Sequence, residues 1–385
     1  MFIKEHLMIR KTYLYENEVW NEDLDASLNS KNTLVICFGN SEYSLINSAF
    51  DDVFKTYDNS IIVGCSTAGE IYQDELYEES LSIAVIKFEK SQIRFESSLL
   101  NDASESFDVG FDIAKKLCMD NLKGIFVLSD GLNVNGSQLT KGINADLTCE
   151  DIIVTGGLAG DDARFEKTWV LLDNKPVSNY VTAVGFYGDD VTIAHGSKGG
   201  WSQFGINRMV TESKANVLYK LDHKPALEVY KTYLGNSAKD LPSSGLLYPL
   251  MIKEDDDVES KVRTILAINE QDQSITFAGD IPTGSEVMFM KASFAQLIEG
   301  ANGASKSALI QEHNKEEAIN IAISCVGRKL VLGQRTEDEI EAVLDNLDES
   351  VLQVGYYSYG EISPLASGKC DLHNQTMTLT LIWES

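Results

Sequence analysis

Cysteine and proline are scarce in this sequence of 385 residues, with six of each. No C-x-x-C pair occurs, which excludes the common zinc frameworks and a covalent haem attachment site. The cysteines are Cys37, Cys65, Cys118, Cys149, Cys325 and Cys370. No apolar run reaches the ~20 residues that span a bilayer, and residues 1–11 are too charged for a signal peptide. We therefore expect a cytoplasmic protein with reduced thiols and no membrane insertion.

Basic residues are also few, with 32 against 59 acidic residues and a net charge of −27. Such a surface repels nucleic acid and anionic lipid, so neither is an expected partner. The acidic run 254–257 is predicted to be a solvated loop, because it lacks the spacing of an EF-hand. A Walker A motif and a G-x-G-x-x-G loop after a strand are both missing, which disfavours a nucleotide cofactor.

The pattern of apolar segments predicts an α/β protein with two domains of mixed, largely antiparallel sheets layered with helices. The length exceeds one ordinary core, and the glycine-rich stretch 196–200 is the best linker signal. We therefore predict domains over 30–200 and 201–384. Helices are predicted over 41–57, with Ser41 as N-cap, and over 293–313. No long internal repeat is visible in the sequence.

The most informative segment is Cys65-Ser66-Thr67-Ala68-Gly69-Glu70, which follows the strand-like run 61–64. Two further predicted strands end in glycine-rich, acid-bearing turns at 129–133 and 156–162. Loops at one edge of an α/β sheet converge on a common crevice, so we expect these three turns to share a rim. The alternative is that the glycines only allow tight turns.

A second polar cluster lies near the end of the chain, at 356–361 and 373–376. Arg328 lies in a turn predicted after the strand that ends at Cys325, and its planar guanidinium could clamp a ligand carboxylate. Tyr357 and Tyr359 could converge on the same place, and Glu361 could hold an amino group, which together suit an amino acid. The alternative is an internal Arg328–Glu361 ion pair that braces two strands.

In these segments the sequence resembles the FIST family of sensory proteins, which carry a FIST N and a FIST C domain. The matching segments are Val63–Ile71, Ser129–Gly131, Gly157–Asp162, His195-Gly196, Gly200-Trp201, Val210-Thr211, Tyr219–Leu221, Pro225–Leu227, Ser324–Arg328, Gly355–Ile362 and His373–Thr376. The resemblance covers about residues 30–384. It implies an intracellular signal-input protein that binds a small ligand such as an amino acid.

One bacterial branch of that family is proposed to bind haem, to sense nitric oxide and to act on histidine kinases or cyclic di-GMP enzymes. Membership of that branch would imply non-covalent haem b, for which an axial histidine is needed. The candidates are His195, His223, His313 and His373, of which His195 and His373 are the predicted ligands. Each histidine alone is more typical of a structural or an exposed residue. Haem and the signalling partner are thus expectations from the resemblance.

The predicted ligand site combines both polar clusters. Its residues are Cys65, Ser66, Thr67, Gly69, Glu70, Gly160, Asp161, Cys325, Arg328, Tyr357, Tyr359, Glu361 and Asn374. An enzyme that uses Cys65 or Cys325 as a nucleophile is a rival hypothesis, although small buried thiols are commoner at strand ends. A scaffold that binds only proteins is a third. Because no complete catalytic set is present, we expect a sensor of a small molecule and not an enzyme.

Overall fold

The protein is described here by a computed structural model that covers residues 8–147, 152–253, 261–310 and 317–385. The predictions for Cys149, His313 and the run 254–257 fall outside these residues. The strands are β1 (Met8–Glu16), β2 (Val19–Trp20), β3 (Thr33–Asn40), β4 (Ile61–Thr67), β5 (Glu70–Tyr72), β6 (Glu75–Tyr77), β7 (Leu81–Phe88), β8 (Gln92–Leu99), β9 (Leu122–Ser129), β10 (Ile153–Leu158), β11 (Val170–Leu172), β12 (Lys175–Val177), β13 (Tyr180–Tyr187), β14 (Val191–Lys198), β15 (Ser202–Lys214), β16 (Val217–Leu221), β17 (Lys224–Pro225), β18 (Leu250–Lys253), β19 (Lys261–Arg263), β20 (Ile265–Asn269), β21 (Ser274–Phe277), β22 (Glu286–Lys291), β23 (Ile319–Cys325), β24 (Leu352–Ser358), β25 (Gly360–Pro364), β26 (Cys370–His373) and β27 (Met377–Glu384).

Helices lie between these strands and pack on the sheets. They are α1 (Asn47–Thr56), α2 (Ser106–Leu117), α3 (Gly136–Asp146), α4 (Ala226–Leu234), α5 (Phe294–Ile310), α6 (Val326–Leu332) and α7 (Thr336–Leu344). The predicted fold class is confirmed, since the protein is a mixed α/β structure with several mixed or antiparallel sheets. Of the helices in the described ranges, none combines the length and the apolar composition that crossing a bilayer requires.

Three topologically equivalent repeats form most of the chain. Each repeat has a four-stranded sheet with one parallel pair at one edge and two antiparallel pairs, and an exchanged hairpin precedes the last strand of the repeat in sequence. The sheets have the strand orders β4-β3-β7-β1, β10-β9-β13-β8 and β24-β23-β27-β14. We call these three units together the ring. In sequence the equivalence shows only in short segments, such as Gly69-Glu70 and Gly360-Glu361.

The ring closes because each repeat lends its hairpin to a neighbour. Hairpin β11-β12 extends the sheet of the first repeat, β25-β26 that of the second and β5-β6 that of the third. Two of these exchanges join strands from opposite sides of residue 200. The N- and C-terminal segments are therefore interlaced in shared sheets.

An inserted segment over 202–291 interrupts the third repeat between β14 and α5. It contributes the fourth sheet, of eight strands, together with α4. Its apolar core, which includes Leu218, Tyr230 and Phe289, is separate from that of the ring. The predicted boundary at 200/201 falls where this insertion begins, and the division into two domains at that point stays a prediction.

Three local predictions were wrong. Ser41 does not cap α1, because a 3-10 turn over Tyr43–Leu45 comes first and Ile46 precedes the helix. The predicted linker at 196–200 begins inside a sheet, since β14 continues to Lys198 opposite Met377. The turn expected after Cys325 is the helix α6. At 196–198, small and polar residues that resemble a linker in sequence are paired in a strand, and the Ser41 hydroxyl accepts a hydrogen bond from Arg164 instead of capping a helix.

Candidate functional site

The ends of β4, β10 and β24 meet at one place in the ring. Backbone hydrogen bonds connect them in a cycle, from Ala68 N to Tyr357 O (2.8 Å), from Gly160 N to Ser66 O (2.9 Å) and from Tyr359 N to Leu158 O (3.4 Å). Each repeat thereby holds the strand end of the next. The turns at 65–70 and 156–162, which were predicted to share a rim, lie side by side.

Glu70 stabilises the turn of the first repeat from inside the protein. One carboxylate oxygen accepts a hydrogen bond from the Thr67 hydroxyl, and the other accepts from Ser80, both from the hydroxyl (2.8 Å) and from the backbone N–H (3.3 Å). Burial raises the pKa of Glu70 to about 7, against the opposing effect of these hydrogen bonds. The carboxylate lies within hydrogen-bond distance of its own turn and borders the cavity described below.

Glu361 makes the same interactions in the third repeat. Its carboxylate accepts from the Ser358 hydroxyl (2.7 Å) on one oxygen and from the Thr376 hydroxyl (2.8 Å) and N–H (3.1 Å) on the other. Burial again raises its pKa to about 7. These hydrogen bonds occupy the carboxylate oxygens of Glu361, which was predicted to bind the amino group of a ligand.

Asp161 and Tyr359 close the equivalent point of the second repeat. The Asp161 carboxylate accepts the Tyr359 hydroxyl and three backbone N–H groups, at 2.8–2.9 Å, from residues 165–167. The Tyr359 ring stacks on Phe165, with ring centroids 4.6 Å apart. Tyr359 therefore fills space that Ala68, its equivalent in the first repeat, leaves open.

Arg328 is a structural residue and does not clamp a ligand. It is fully buried, and its Nε and Nη2 donate to Glu339 at 2.9 and 2.7 Å. Its other donors reach the carbonyl oxygens of Gly199 (2.6 Å), Leu297 (2.8 Å) and Gln375 (3.5 Å). The alternative prediction of an internal ion pair was correct that Arg328 pairs with a buried acid, but the acid is Glu339 and not Glu361.

Tyr357 belongs to the same buried cluster. Its hydroxyl donates to Glu339 at 2.7 Å, and the Ser324 hydroxyl donates to the same oxygen at 2.9 Å. Tyr357 is inaccessible to solvent, so the amino-acid clamp predicted from Arg328, Tyr357, Tyr359 and Glu361 does not exist as a set. Each of the four side chains is held by other parts of the protein.

The two candidate nucleophiles are buried thiols. Cys65 and Cys325 are both inaccessible to solvent, and burial raises the pKa of each well above the usual value. A thiol that remains protonated is a poor nucleophile. Ser66 is buried beside Cys65, and its hydroxyl accepts a hydrogen bond from the backbone N–H of Trp169 at 3.0 Å.

A cavity of about 190 Å³ opens beside the turn of the first repeat, and we call it the strand-end cavity. Thr67, Gly69 and Glu70 border it, as predicted site residues. The remaining lining residues are Asn40, Ser41, Ala68, Glu78, Glu79, Asp162, Arg164 and Lys329. All three repeats contribute to the wall, because Asp162 and Arg164 belong to the second repeat and Lys329 to the third.

Lys329 is the more buried of the two cations that line this cavity. Its side chain is only 12% exposed, and its ammonium donates to Ala68 O (2.8 Å) and to Glu78 (2.6 Å), with Asp162 at 3.5 Å. Gly69 makes room for it, since a Cβ at residue 69 would lie 3.2 Å from Nζ. A cation is thus held among several carboxylates at the edge of a polar cavity.

The sequence did not predict Lys329, Arg164 or the acids at 78 and 79. Lys329 follows Arg328 directly, and the guanidinium of the arginine is the better match for a ligand carboxylate by residue type alone. The helix α6 reverses this assignment by burying Arg328 and turning Lys329 to the cavity. A helix predicted at this position would have placed Lys329, and not Arg328, at the cavity.

The remaining predicted residues lie elsewhere. His373 and Asn374 border a second cleft of about 410 Å³ between the ring and the inserted sheet. His373 Nε2 is 3.0 Å from Ser363 O, while Asn374 accepts the N–H of Thr264 at 3.2 Å. His195 lies on β14, and burial, aided by His373, lowers its pKa. The predicted site is therefore divided among a buried scaffold and two separate openings.

Sequence comparison assigns both halves of the chain. The family model of the FIST N domain matches residues 33–224, and that of the FIST C domain matches residues 226–364.

The chain is also similar to a relative in sequence and, weakly, to a solved structure. The chain is 23% identical to the uncharacterized protein MJ1623 of Methanocaldococcus jannaschii, over 94% of this chain and 75% of that protein. A crystal structure of a cyanuric acid hydrolase from A. caulinodans superposes with a TM-score of 0.36 and 10% identity, over 98% of this chain and 99% of the other.

Proposed function

The chain belongs to the FIST family, whose domains are sensory modules of signal transduction, and we propose that it senses an amino-acid-type ligand in the strand-end cavity. One observation carries this proposal: the wall combines the cations Lys329 and Arg164 with acidic side chains from the first two repeats. A zwitterion needs both signs of charge within the length of one small molecule, and this cavity supplies them.

The charges suggest how such a ligand would be oriented. Glu78, Glu79 and Asp162 would receive its ammonium group, whereas Lys329 and Arg164 would receive its carboxylate. Lys329 now donates to Glu78, so binding would exchange one carboxylate partner of the ammonium for another. Because the three repeats share this cavity, a ligand there would stabilise their mutual packing.

A thermal-shift screen tests the proposal. Wild-type protein is heated with each common amino acid, and with the matching amine and the matching deaminated acid. We expect at least one amino acid to raise the melting temperature, and both of its one-charge analogues to raise it less. If no amino acid stabilises the protein, or if the amine alone is as effective, the zwitterion proposal is wrong.

Haem b, with nitric oxide as signal, is the more specific version that the family resemblance raised, and it stays a prediction. His373 would be its candidate ligand, because it borders the larger cleft. The fit is poor, since His373 Nε2 is already directed at a backbone carbonyl and the wall carries the Lys261–Asp371 ion pair. Haemin addition without a Soret shift would exclude this version.

The signalling partner and the absence of catalysis also remain proposals. We propose a histidine kinase or a cyclic di-GMP enzyme as partner, on the family resemblance alone; co-purification with and without ligand tests it. A thiol enzyme is the rival function. The burial of Cys65 and Cys325 favours a sensor over that rival.

A further inference from the structure

The second cleft, which we call the junction cleft, has a different chemistry from the strand-end cavity. It lies where the ring meets the inserted sheet, and both contribute to its wall. At about 410 Å³ it is the larger opening and falls in the usual range for small-molecule sites. Its occupant therefore needs its own explanation.

The charge of the cleft is opposite to that of the protein. Its lining holds two lysines, Lys198 and Lys261, against one acid, Asp371. Lys261 pairs with Asp371 at 3.1 Å, and both side chains are less than a fifth exposed. Lys198 makes no ion pair with any described residue. Although the chain has a net charge of −27, the lysines of this wall favour the binding of anions there.

The cleft also has an apolar side. Trp201 lies on it, with its indole N–H fixed to Gln375 O at 2.9 Å. Val262, Met290 and Leu365 continue this surface. An indole held by its own hydrogen bond offers a flat contact that needs little ordering when a ligand arrives.

From these observations we propose that the junction cleft binds an organic anion with an apolar, ring-containing body, such as an aromatic carboxylate. The carboxylate of the ligand lies at Lys198, and its aromatic group packs against Trp201. The ligand thus contacts both the three-repeat ring and the inserted sheet, which the Lys261–Asp371 ion pair already connects. This site is independent of the amino-acid site proposed above.

Binding of 2-naphthoate tests the proposal directly. It is measured by equilibrium dialysis and by quenching of tryptophan fluorescence, with 2-naphthamide as the uncharged analogue. We expect saturable binding of naphthoate by the wild type and at least tenfold weaker binding of the amide. Absence of saturable naphthoate binding, or equal binding of the amide, overturns the proposal.

Two variants and a control locate the site. Lys198→Gln and Trp201→Leu are each expected to weaken naphthoate binding at least tenfold. Lys198 is exposed, so that variant should melt like the wild type even if Trp201→Leu does not fold. The control Lys224→Gln removes a lysine of the inserted segment that does not border the cleft, and should bind normally.

The variants also separate this proposal from the first. Lys198→Gln should leave amino-acid stabilisation unchanged, because it lies outside the strand-end cavity. Unchanged naphthoate binding by Lys198→Gln would place the anion elsewhere and contradict the assignment. Failure of the amino-acid screen would not affect this result.

Discussion

Glu70 and Glu361 occupy the same position in two repeats and make the same set of hydrogen bonds. In each, one carboxylate oxygen accepts a hydrogen bond from the hydroxyl of the residue three positions earlier. The other oxygen accepts two hydrogen bonds from one later residue, one from its hydroxyl and one from its backbone N–H. In both repeats a glycine comes directly before the acid. The segment 65–70, which most resembled a ligand-binding motif in sequence, therefore partly serves to stabilise a turn that recurs in the third repeat.

Stability should fall between pH 5 and pH 8 because of these two acids. Each ionises near 4.5 when unfolded and near 7 when folded, so the folded protein binds more protons between these values. Rising pH then favours unfolding, with no effect below 4.5 and the full effect above about 7. At about 1.4 kcal/mol per pKa unit, each acid contributes on the order of 3 kcal/mol.

Urea unfolding of Glu70→Gln and Glu361→Gln at pH 5 and pH 8 checks this dependence. Each variant should lose less stability than the wild type between the two pH values. Asp102→Asn, at a fully exposed acid, is the control and should follow the wild type. An unchanged pH dependence in both glutamine variants would refute the assignment.

Arg328→Met should be severely destabilising. It leaves Glu339 buried without its cation, and breaking a buried pair in this way typically costs about 3–5 kcal/mol. The double variant Arg328→Met with Glu339→Met should recover part of that loss, since no charge is then stranded. Guanidinium unfolding provides the measurement.

The exposed pair Arg335–Asp338, at 2.6 Å, offers the matched control for this change. Arg335→Met should cost less than about 1 kcal/mol. A similar, small effect of Arg328→Met, combined with lost ligand binding, would instead restore Arg328 as a ligand residue.

Cys37, Cys65, Cys325 and Cys370 should resist thiol reagents in the native protein. All four are buried, and burial raises the pKa of each. Partly exposed Cys118 is expected to react first among the described cysteines. Mass-spectrometric mapping after brief maleimide treatment tests this order, and rapid labelling of Cys65 or Cys325 would favour the thiol enzyme.

Gly355→Ala should weaken the sheet of the third repeat. A Cβ at residue 355 would lie 1.8 Å from the carbonyl oxygen of Ala322 on the paired strand. Gly64 stands in the equivalent register, where a Cβ would lie 2.5 Å from Cys37 O. We expect a loss of at least about 2 kcal/mol, because the backbone must shift.

Gly303→Ala is the contrasting change, because residue 303 lies inside helix α5 and its Cβ would meet side-chain atoms at 3.4 Å or more. Alanine should there be neutral or stabilising by up to about 1 kcal/mol. Thermal unfolding distinguishes the two substitutions. Equal effects would show that the close strand approach at Gly355 can relax.

The sequence was sufficient for the fold class and for most segments because burial and periodicity are local signals. The strand-like run 61–64 lies in β4, and the helix predicted over 293–313 corresponds to α5 (Phe294–Ile310) within the described residues. The cyclic exchange of hairpins could not be predicted, since it depends on which edge each hairpin meets. No local pattern specifies that choice.

The candidate site was predicted only in part for a related reason. A buried acid such as Glu361 and a ligand-binding acid look alike in sequence, and the distinction depends on Thr376, a distant partner. Thr67, Gly69 and Glu70 border the cavity, but its cations come from two other repeats. Only the closed ring brings Arg164 and Lys329 to them.

The central claim is that Lys329 helps bind a zwitterion where the three repeats meet. Its most direct test is calorimetric titration of the best-stabilising amino acid into wild type, Lys329→Gln and the surface control Lys123→Gln. We expect a dissociation constant at least tenfold higher for Lys329→Gln and an unchanged value for the control. Equal affinity in all three proteins would contradict the claim.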